Sequence, residues 1–411
     1  EQHQPVGARD ARKRGQSKRD CSRKIATSRI PGKRDPAARP GPVRAVLGCV
    51  NERRSAVGQP GREGVFGGKP VIGHQHRKPA EISQFGGQRP VTCQRSGNPS
   101  AAVAVHHPPI TRIGRPVLKL LNWRNKNSKQ QARKNIAAHY DLGNDMYKLF
   151  LDDSMMYSSA VYPNDEADLA TAQQYKLRMI CERLQLSADD HLLEIGTGWG
   201  SMAIYAAQHY GCKVTTTTIS QQQYDYTKAR IAELGLEQQI TLLFNDYRDL
   251  SGQYDKLVSI EMIEAVGEEY LDTYFEKCAS LLKPDGLMVL QAITIVDQRY
   301  QQYVKEVDFI KRFVFPGGSL PSIGRMTDAV SRKTDLVVRQ LQDIGFDYGK
   351  TLKHWCDNFM QARDKVHHLG YDDNFIRLWQ FYLCYCEGGF IERATSAVHM
   401  VLSKPLNRSK V

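Results

Sequence analysis

The chain of 411 residues has no run of about 18 apolar residues, the length that a membrane-spanning helix needs. Its nine cysteines are odd in number and scattered. Cys384 and Cys386 stand too close together for an ordinary disulfide or a C-x-x-C metal pair. We therefore predict no membrane span, no metal site, and a reducing, cytoplasmic setting.

Residues 1–110 are poor in the residue types that build a hydrophobic core. Leu47 is their only leucine, they contain no methionine, tyrosine or tryptophan, and they hold 14 of the 32 glycines and 12 of the 18 prolines. So little apolar surface cannot offset the entropy lost on folding. An apolar signal-peptide stretch is also lacking near the start. We predict that residues 1–110 are disordered or artefactual and that residues 111–411 form the folded domain.

The positive charge of the chain is concentrated in the same segment. The formal net charge is +13, but residues 1–110 hold 21 basic and 7 acidic residues, which leaves 36 basic and 37 acidic residues elsewhere. Three interpretations stay open: a nucleic-acid-binding tail, a tail attracted to an anionic membrane, or a wrong-frame translation. The near-neutral remainder has no basic stripe with interleaved aromatics, so we predict that nucleic acid is not its partner.

The most informative motif is EIGTGWG at residues 194–200, which follows an apolar stretch and precedes a helical one. Strand, glycine turn and helix in this order hold nucleotide-like cofactors at the carboxyl end of a parallel sheet. Glycines let the backbone approach a ligand closely, because they lack a Cβ. The carboxylate before the turn suits a cationic amino-acid cofactor better than a phosphate, which points to S-adenosylmethionine.

Apolar stretches alternate with helical patterns from about residue 190 to 296. We predict strands at 190–195, 213–218, 239–244, 254–260 and 286–295, and helices at 201–210, 220–235 and 268–282. The sequence 283–286 predicts a turn before the fifth strand. Such alternation predicts an α/β fold with a doubly wound, Rossmann-like parallel sheet. Beyond residue 297 the pattern is mainly helical and rich in aromatic residues.

Three further motifs carry a family resemblance: NIAAHYDLGNDMY at 135–147, FIKRFVFPGG at 309–318 and YGKTLKHW at 348–355. Together with the glycine turn they resemble the cyclopropane-fatty-acyl-phospholipid synthases, which include the mycolic acid cyclopropane synthases, over roughly residues 120–405. The resemblance implies a class I S-adenosylmethionine-dependent methyltransferase with helical insertions around an acyl chain. It implies methyl transfer to a cis alkene of a phospholipid, followed by loss of a proton and ring closure.

The resemblance also implies a bound bicarbonate ion that accepts the proton. Its pocket would consist of Glu264, Tyr348, Gln291, and backbone amides at Ser159 and Ile293. Gln291 and Ser159 stand where the family has His and Cys, and a neutral amide cannot titrate as His does. Cys386 matches a position described as an active-site cysteine, although alkene methylation needs no thiolate.

The cofactor residues follow from the same resemblance. We expect the methionine part and ribose at the glycine turn, the adenine near the end of the third strand, and a lid over the sulfonium. The predicted cofactor residues are Tyr157, Ser158, Glu194, Gly196, Gly198, Trp199, Gly200, Thr218, Gln223, Asp246, Tyr247 and Arg248.

Several alternatives stay open at this stage. A related acyl C-methyltransferase would give a methyl- or methylene-branched chain, and a lipid-binding protein could have lost catalysis. Glu264 could cap a helix, and Tyr348 and the aromatic residues after 299 could be core residues. Lys311 and Arg312 could meet lipid phosphate or form a solvated face, and residues 113–134 could lie on a membrane or join domains. We expect peripheral association with the inner face of the membrane, and a homodimer as a further possibility.

Overall fold

A computed structural model describes residues 127–140 and 142–410. The predicted segment 1–110, and most of 113–134, lie outside the described residues. A seven-stranded sheet in the order β3-β2-β1-β4-β5-β7-β6 forms the centre of the described chain. The first five strands pair in parallel, whereas β7 is antiparallel to both β5 and β6.

The strands are β1 (His191–Ile195), β2 (Lys213–Thr217), β3 (Ile240–Leu243), β4 (Tyr254–Ile260), β5 (Leu282–Ile295), β6 (Val337–Asp343) and β7 (Thr395–Ser403). The helices up to β5 are α1 (Lys129–Tyr140), α2 (Asn144–Tyr147), α3 (Leu169–Leu184), α4 (Ser201–Tyr210), α5 (Gln221–Glu233) and α6 (Leu271–Leu281). Those after β5 are α7 (Asp297–Tyr303), α8 (Phe309–Phe313), α9 (Ile323–Lys333), α10 (Gly345–Gln361), α11 (Arg363–His368) and α12 (Asp373–Ile391). Short 3-10 turns at Tyr247–Asp249, Ile263–Ala265 and Glu268–Tyr270 follow β3 and β4.

The five predicted strands and three predicted helices of the parallel part are present. One local prediction is wrong: the sequence 283–286 lies within β5, where the pairing with β4 shifts register between Tyr254 and Lys256. Strands β6 and β7 were not predicted. Their pairing buries β7 between β5 and β6, whereas six of the seven residues of β6 are exposed.

Side-chain caps fix where several helices begin. Ser220 accepts a hydrogen bond from the backbone N–H of Gln223, as its capping-box position predicts. Asp168, Asp308 and Asp372 cap α3, α8 and α12 in the same way. Such caps satisfy backbone donors that the first turn of a helix leaves unpaired.

Three groups of buried side chains hold the fold together. Two lie on the two faces of the sheet, and one contains Leu193 and Phe275 whereas the other contains Leu192 and Met202. The third joins the turn after α2 to α10 and α12, and includes Phe150 and Trp355. Within the part of the chain that the structure describes, no helix combines the length and apolarity needed to cross a bilayer.

Candidate active site

A cavity of about 1440 Å³ lies at the carboxyl ends of β1, β2, β4 and β5. Ligand pockets usually measure about 300–1,000 Å³, so this cavity is large enough for a nucleoside cofactor together with a second ligand. The glycine turn lines one part of it, and aromatic residues of α8 and α12 line another. The cavity therefore joins the two regions that the sequence motifs single out.

The glycine turn has a backbone that glycine favours. Gly196, Gly198 and Gly200 have φ values of 99°, 53° and 90°. A Cβ at Gly200 would lie 2.8 Å from Thr227 Cγ2, so packing excludes a side chain there. A Cβ at Gly198 would meet no heavy atom within 4 Å, and this residue lines the cavity. The turn therefore presents bare backbone to the space where the cofactor is predicted.

Glu194 is the penultimate residue of β1 and lines the cavity. The hydroxyl of Thr216 donates to Glu194 Oε2 at 2.6 Å, and burial raises the pKa of the Glu194 carboxyl to about 8. A buried carboxyl of this kind gains from a cationic ligand, since an opposite charge favours its ionised form. The arrangement fits the ammonium group of an amino-acid cofactor.

The residues after β2 and β3 form two hydrogen-bonded pairs. Thr218 Oγ1 donates to Gln223 Oε1 at 2.8 Å. The Asp246 carboxylate accepts from Arg248 Nε at 2.7 Å and from its terminal nitrogen at 2.7 Å. Burial opposes the charge of Asp246, but the bonds from Arg248 lower its pKa overall. Asp246 stays charged beside the cavity and can accept from an adenine amine.

Tyr247 lines the cavity and has two close neighbours around its ring. Its ring packs against Tyr274 at 5.6 Å between centroids, and the guanidinium of Arg248 lies 5.5 Å from its centroid. Its buried hydroxyl has no hydrogen-bond partner among the described residues. Tyr247 thus packs in the core at the edge of the cavity, and its stacking on adenine stays a prediction.

The predicted lid residues Tyr157 and Ser158 also line the cavity. The hydroxyls of Tyr157 and Tyr382 are 2.9 Å apart. Ser158 Oγ accepts a hydrogen bond from Lys176 Nζ at 2.7 Å. Trp199 is buried and its indole N–H donates to Asn144 Oδ1 at 2.8 Å. These contacts tie Tyr157 to α12, Ser158 to α3 and Trp199 to α2.

The residues predicted to hold an anion converge on a carboxylate of the chain itself. Glu261, directly after β4, accepts from the Ser159 backbone N–H at 2.9 Å and from Gln291 Nε2 at 2.8 Å through Oε1. Its Oε2 accepts from the Tyr348 hydroxyl at 2.8 Å. The Glu261 carboxylate thus accepts hydrogen bonds from the donors that we expected to surround bicarbonate. Glu261 also lines the cavity. The bound bicarbonate ion itself stays a prediction.

A hydrogen-bonded chain fixes the orientation of Gln291. Its Nε2 also donates to the Ser159 carbonyl at 3.1 Å, and its Oε1 lies 2.8 Å from His399 Nε2. A carbonyl oxygen only accepts, so His399 Nε2 carries the proton and His399 Nδ1 faces Arg183. Burial lowers the pKa of His399 well below its usual value, which keeps this imidazole neutral.

Glu264 lies one turn further on and has a different environment. Its Oε1 accepts from the Ile293 backbone N–H, whereas its buried Oε2 has no partner among the described residues. Burial, together with the nearby charge of Glu261, raises the pKa of Glu264 to about 8. The two predicted backbone amides therefore serve two different carboxyls, since Ser159 bonds Glu261 and Ile293 bonds Glu264.

Lys176 supplies a buried positive charge behind this pair. Its side chain is fully buried on α3. Burial lowers its pKa, and the negative charges of Glu261 and Asp152 oppose that change. All three donors around Glu261 satisfy the ionised form of a carboxylate. Burial raises the pKa of Glu261 overall and lowers that of Lys176 to about 7. We assign the charged state to Glu261 on its hydrogen-bond geometry, with Lys176 as its counter-charge.

Cys386 lies in the cavity wall as a neutral thiol. Burial raises its pKa to about 12, and a nucleophilic cysteine requires a lowered pKa. The structure thus favours packing over catalysis for this residue.

Aromatic side chains form the wall beyond the two carboxyls. Phe309 contacts Phe381 at 4.8 Å and Tyr385 at 5.9 Å between ring centroids. Lys311 is not free for a phosphate, because its Nζ donates to the Tyr303 and Glu306 carbonyls at 2.8 and 3.1 Å. Arg312 is exposed beside Phe313, so it is the cation of this pair that can reach a headgroup.

A family model described as mycolic acid cyclopropane synthetase matches residues 127–400. The chain belongs to this family. Tuberculostearic acid methyltransferase UfaA1 of Mycobacterium tuberculosis is 38% identical over 289 residues, which cover 69% of this chain and 66% of that protein. Cyclopropane-fatty-acyl-phospholipid synthase of Escherichia coli is 38% identical over 280 residues, which cover 68% of this chain and 70% of that protein.

Solved cyclopropane synthases share the fold. Mycolic acid cyclopropane synthase CmaA1, complexed with SAH and CTAB, has a TM-score of 0.62 and 27% identity over 66% of this chain and 98% of its own. The cyclopropane synthase MmaA2 from Mycobacterium tuberculosis has the same TM-score at 24% identity and shows likeness of fold alone. This chain is therefore a SAM-dependent methyltransferase. The predicted fold class and family are confirmed.

Three residues of the site, named below, were not predicted from the sequence. Glu261 stands at the carboxyl end of a parallel strand, a position that favours ligand-binding residues, so a signal existed. Lys176 follows Ala172 by one helical turn on the buried face of α3, which is a weaker signal. His399 lies on β7, a strand that was not predicted. No group of three candidate metal ligands occurs in residues 127–140 and 142–410.

Proposed function

We propose that this protein transfers the methyl group of S-adenosylmethionine to the cis double bond of an unsaturated phospholipid acyl chain. The observation that carries the proposal is one cavity bounded by a bare glycine turn, a buried acidic cluster and an aromatic wall. The family match and the two relatives above support the same reaction class.

The residues of the glycine turn fit S-adenosylmethionine, which supplies an electrophilic methyl group when bound. Glu194 would hold the ammonium group, and the backbone at Gly196 and Gly198 would lie against the amino-acid part and ribose. Asp246 would accept from the adenine amine. The deep position of Glu194 and its raised pKa suit a cation better than the phosphate of a dinucleotide.

The aromatic wall suits a reaction that passes through a carbocation. Attack of alkene electrons on the sulfonium methyl breaks its S–C bond, forms a C–C bond and leaves positive charge on the neighbouring carbon. Ring faces of Phe315 and Tyr382, which lie 6.0 Å apart between centroids, can stabilise such a charge by cation–π attraction. An apolar surround also keeps water from adding to the cation.

The product depends on where the positive charge lies when the new methyl loses a proton. With the charge on the neighbouring carbon, loss of that proton closes a cyclopropane ring. A 1,2-hydride shift first moves the charge to the methylated carbon, and loss of the methyl proton then gives a methylene branch. The two relatives carry names of both kinds, a cyclopropane synthase and a tuberculostearic acid methyltransferase. We propose the cyclopropane as product, with the branched chain as the second candidate. A bicarbonate ion beside Glu264 is the base that the resemblance implies.

Mass spectrometry of lipids from a host that expresses the chain tests this function. We expect acyl chains that are 14 mass units heavier than the unsaturated substrate, as one added CH₂ requires, and that have lost the double bond to a ring. A retained double bond or a saturated branch would identify the methyltransferase candidate. Unchanged lipids, together with no S-adenosylmethionine binding by the purified protein, would contradict the function.

We also propose that the protein reaches its substrate at the cytoplasmic face of a membrane. Phe313 and Phe381 are 45% and 52% exposed beside the aromatic part of the cavity. Exposed apolar groups next to basic ones suit an anionic lipid surface, and Arg312 lies beside Phe313. An acyl chain could pass from the bilayer into the cavity at this point.

Vesicle binding tests that surface. Phe381→Asp should weaken sedimentation with anionic phospholipid vesicles and raise KM for lipid. Leu369→Asp is the matched control, since Leu369 is 43% exposed and does not line the cavity. Equal vesicle binding by both variants would place the lipid contact elsewhere.

Nucleic-acid binding is not favoured. The basic residues that suggested it lie in residues 1–110, and the family match does not include them.

A further inference from the structure

We propose that the Glu261 carboxylate is the proton acceptor of the reaction, so that the chain itself supplies the base expected from a bound bicarbonate ion. This inference rests on the proposed function. The observation behind it is that the Glu261 side chain accepts hydrogen bonds from three donors predicted for the ion, and that Glu261 lines the cavity.

The geometry matches what a planar oxyanion would need. A backbone N–H, an amide NH₂ and a phenol surround the carboxylate, and each of the three groups donates through one bond. Gln291 cannot rotate its amide to suit another ligand, because its carbonyl is held by His399 and its NH₂ is shared with the Ser159 carbonyl. The Tyr348 phenol stays protonated, since burial raises its pKa well above the usual value. The pocket is thus built for a fixed anion, and Glu261 fills it.

The contact with Glu261 explains why Gln at position 291, where the family has His, is compatible with the site. A cationic imidazole would hold a free anion more firmly than a neutral amide. Gln291 instead needs only to orient a carboxylate that is already tethered by the chain. Lys176 supplies the compensating charge within the protein interior, so no diffusible ion is required for charge balance.

The proton step balances without a further reagent. The C–H bond of the transferred methyl breaks, its electron pair forms the new C–C bond of the ring, and the proton passes to a Glu261 oxygen. The carboxylate becomes a carboxylic acid, and the positive charge of the carbocation disappears. Glu261 then returns the proton to solvent after product leaves. The same acceptor serves a methylene-branched product, where a 1,2-hydride shift first moves the charge to the methylated carbon and the C–H electron pair then forms a double bond.

The backbone at Glu261 provides a second, independent indication. Its φ is 48°, one of four positive values at non-glycine residues among the described residues. Glutamate seldom adopts the left-handed region, and such residues are found where function requires the conformation. A glycine would relieve the strain at this position, so Glu261→Gly is expected to fold.

The test uses the full chain, S-adenosylmethionine and vesicles of an oleoyl phospholipid, in buffer freed of carbon dioxide. The formation of S-adenosylhomocysteine and the lipid product are measured with and without added bicarbonate. We expect wild-type turnover to be independent of bicarbonate. Glu261→Gln should lower turnover by about 10²–10⁴-fold, the usual value of a positioned base, while S-adenosylmethionine affinity stays near wild type.

Glu261→Gly gives a second readout that does not depend on the Gln variant. It frees the Ser159, Gln291 and Tyr348 donors, so bicarbonate or formate should restore part of the lost turnover. Wild-type turnover that rises several-fold with bicarbonate, or undiminished turnover of Glu261→Gln, would overturn the inference alone. A wild-type protein that binds S-adenosylmethionine but never methylates unsaturated lipid would instead overturn the proposed function.

Discussion

A side chain added at position 198 should block S-adenosylmethionine binding while the protein stays folded. Gly198 has a left-handed φ of 53°, and a Cβ there meets no heavy atom within 4 Å. In Gly198→Leu the new side chain would project into the cavity space assigned to the cofactor. A non-glycine residue in this conformation costs about 1–2 kcal/mol of stability. Loss of backbone contact with the cofactor should weaken binding at least about 100-fold, or about 2.7 kcal/mol.

Gly235→Leu separates strain from obstruction. Gly235 has a φ of 66° and no neighbour within 4 Å of a built Cβ, and it is exposed and does not line the cavity. Both variants should therefore lose similar stability in thermal unfolding, but only Gly198→Leu should lose binding in titration calorimetry. Gly196→Val is a less clear test, because its Cβ would lie 3.1 Å from Met262 Cγ. Wild-type affinity in a folded Gly198→Leu protein would refute the cofactor assignment.

Three further predictions concern other parts of the chain. A chain that starts at residue 111 should keep full activity on lipid vesicles, and a folded but inactive truncation would restore a membrane role to residues 1–110. Cys386→Ser should keep turnover within about twofold, because burial raises the pKa of the thiol to about 12 and no thiolate is available; a hundredfold loss measured by S-adenosylhomocysteine release would contradict this. Glu264→Gln should gain thermal stability relative to wild type as pH rises from 6 to 9. In the folded protein Glu264 has a pKa of about 8, whereas the unfolded chain releases this proton at a lower pH. Wild-type stability therefore falls as the pH rises through this window. A difference in Tm that stays constant with pH would contradict the assignment.

The parallel half of the fold could be predicted because its signals are local. Each strand is a short apolar stretch, and the turn after β1 carries glycines that its backbone requires. Strand β6 escaped prediction because six of its seven residues are exposed, so its sequence lacks the apolar run or alternation of a half-buried strand. Its position is set by pairing with β7, a contact between segments about 60 residues apart along the chain.

The candidate site shows the same division between local and long-range information. Glu261 and Glu264 both follow β4, but residue spacing alone does not say which carboxylate meets Tyr348. That choice depends on the backbone of β4 at its end and on α10, which brings Tyr348 to Glu261 Oε2. From the sequence alone, Gln291 is a departure from the His of the family, and it left open a protein that has lost catalysis. Its partner His399 lies opposite it on β7, so the role became clear only once the sheet was complete.

The two carboxyls explain why one site can hold both charge states at the same pH. Burial raises the pKa of Glu261, and its three donors and the counter-charge of Lys176 limit that rise. Glu264 has one backbone donor, an unpartnered oxygen and a charged neighbour, and its pKa rises to about 8. Environments that give two neighbouring carboxyls different protonation states distinguish a base from its protonated partner. Glu261 is therefore ready to accept a proton when a carbocation forms, whereas Glu264 already holds one, so exchanging their roles would require moving Lys176 and the donors as well.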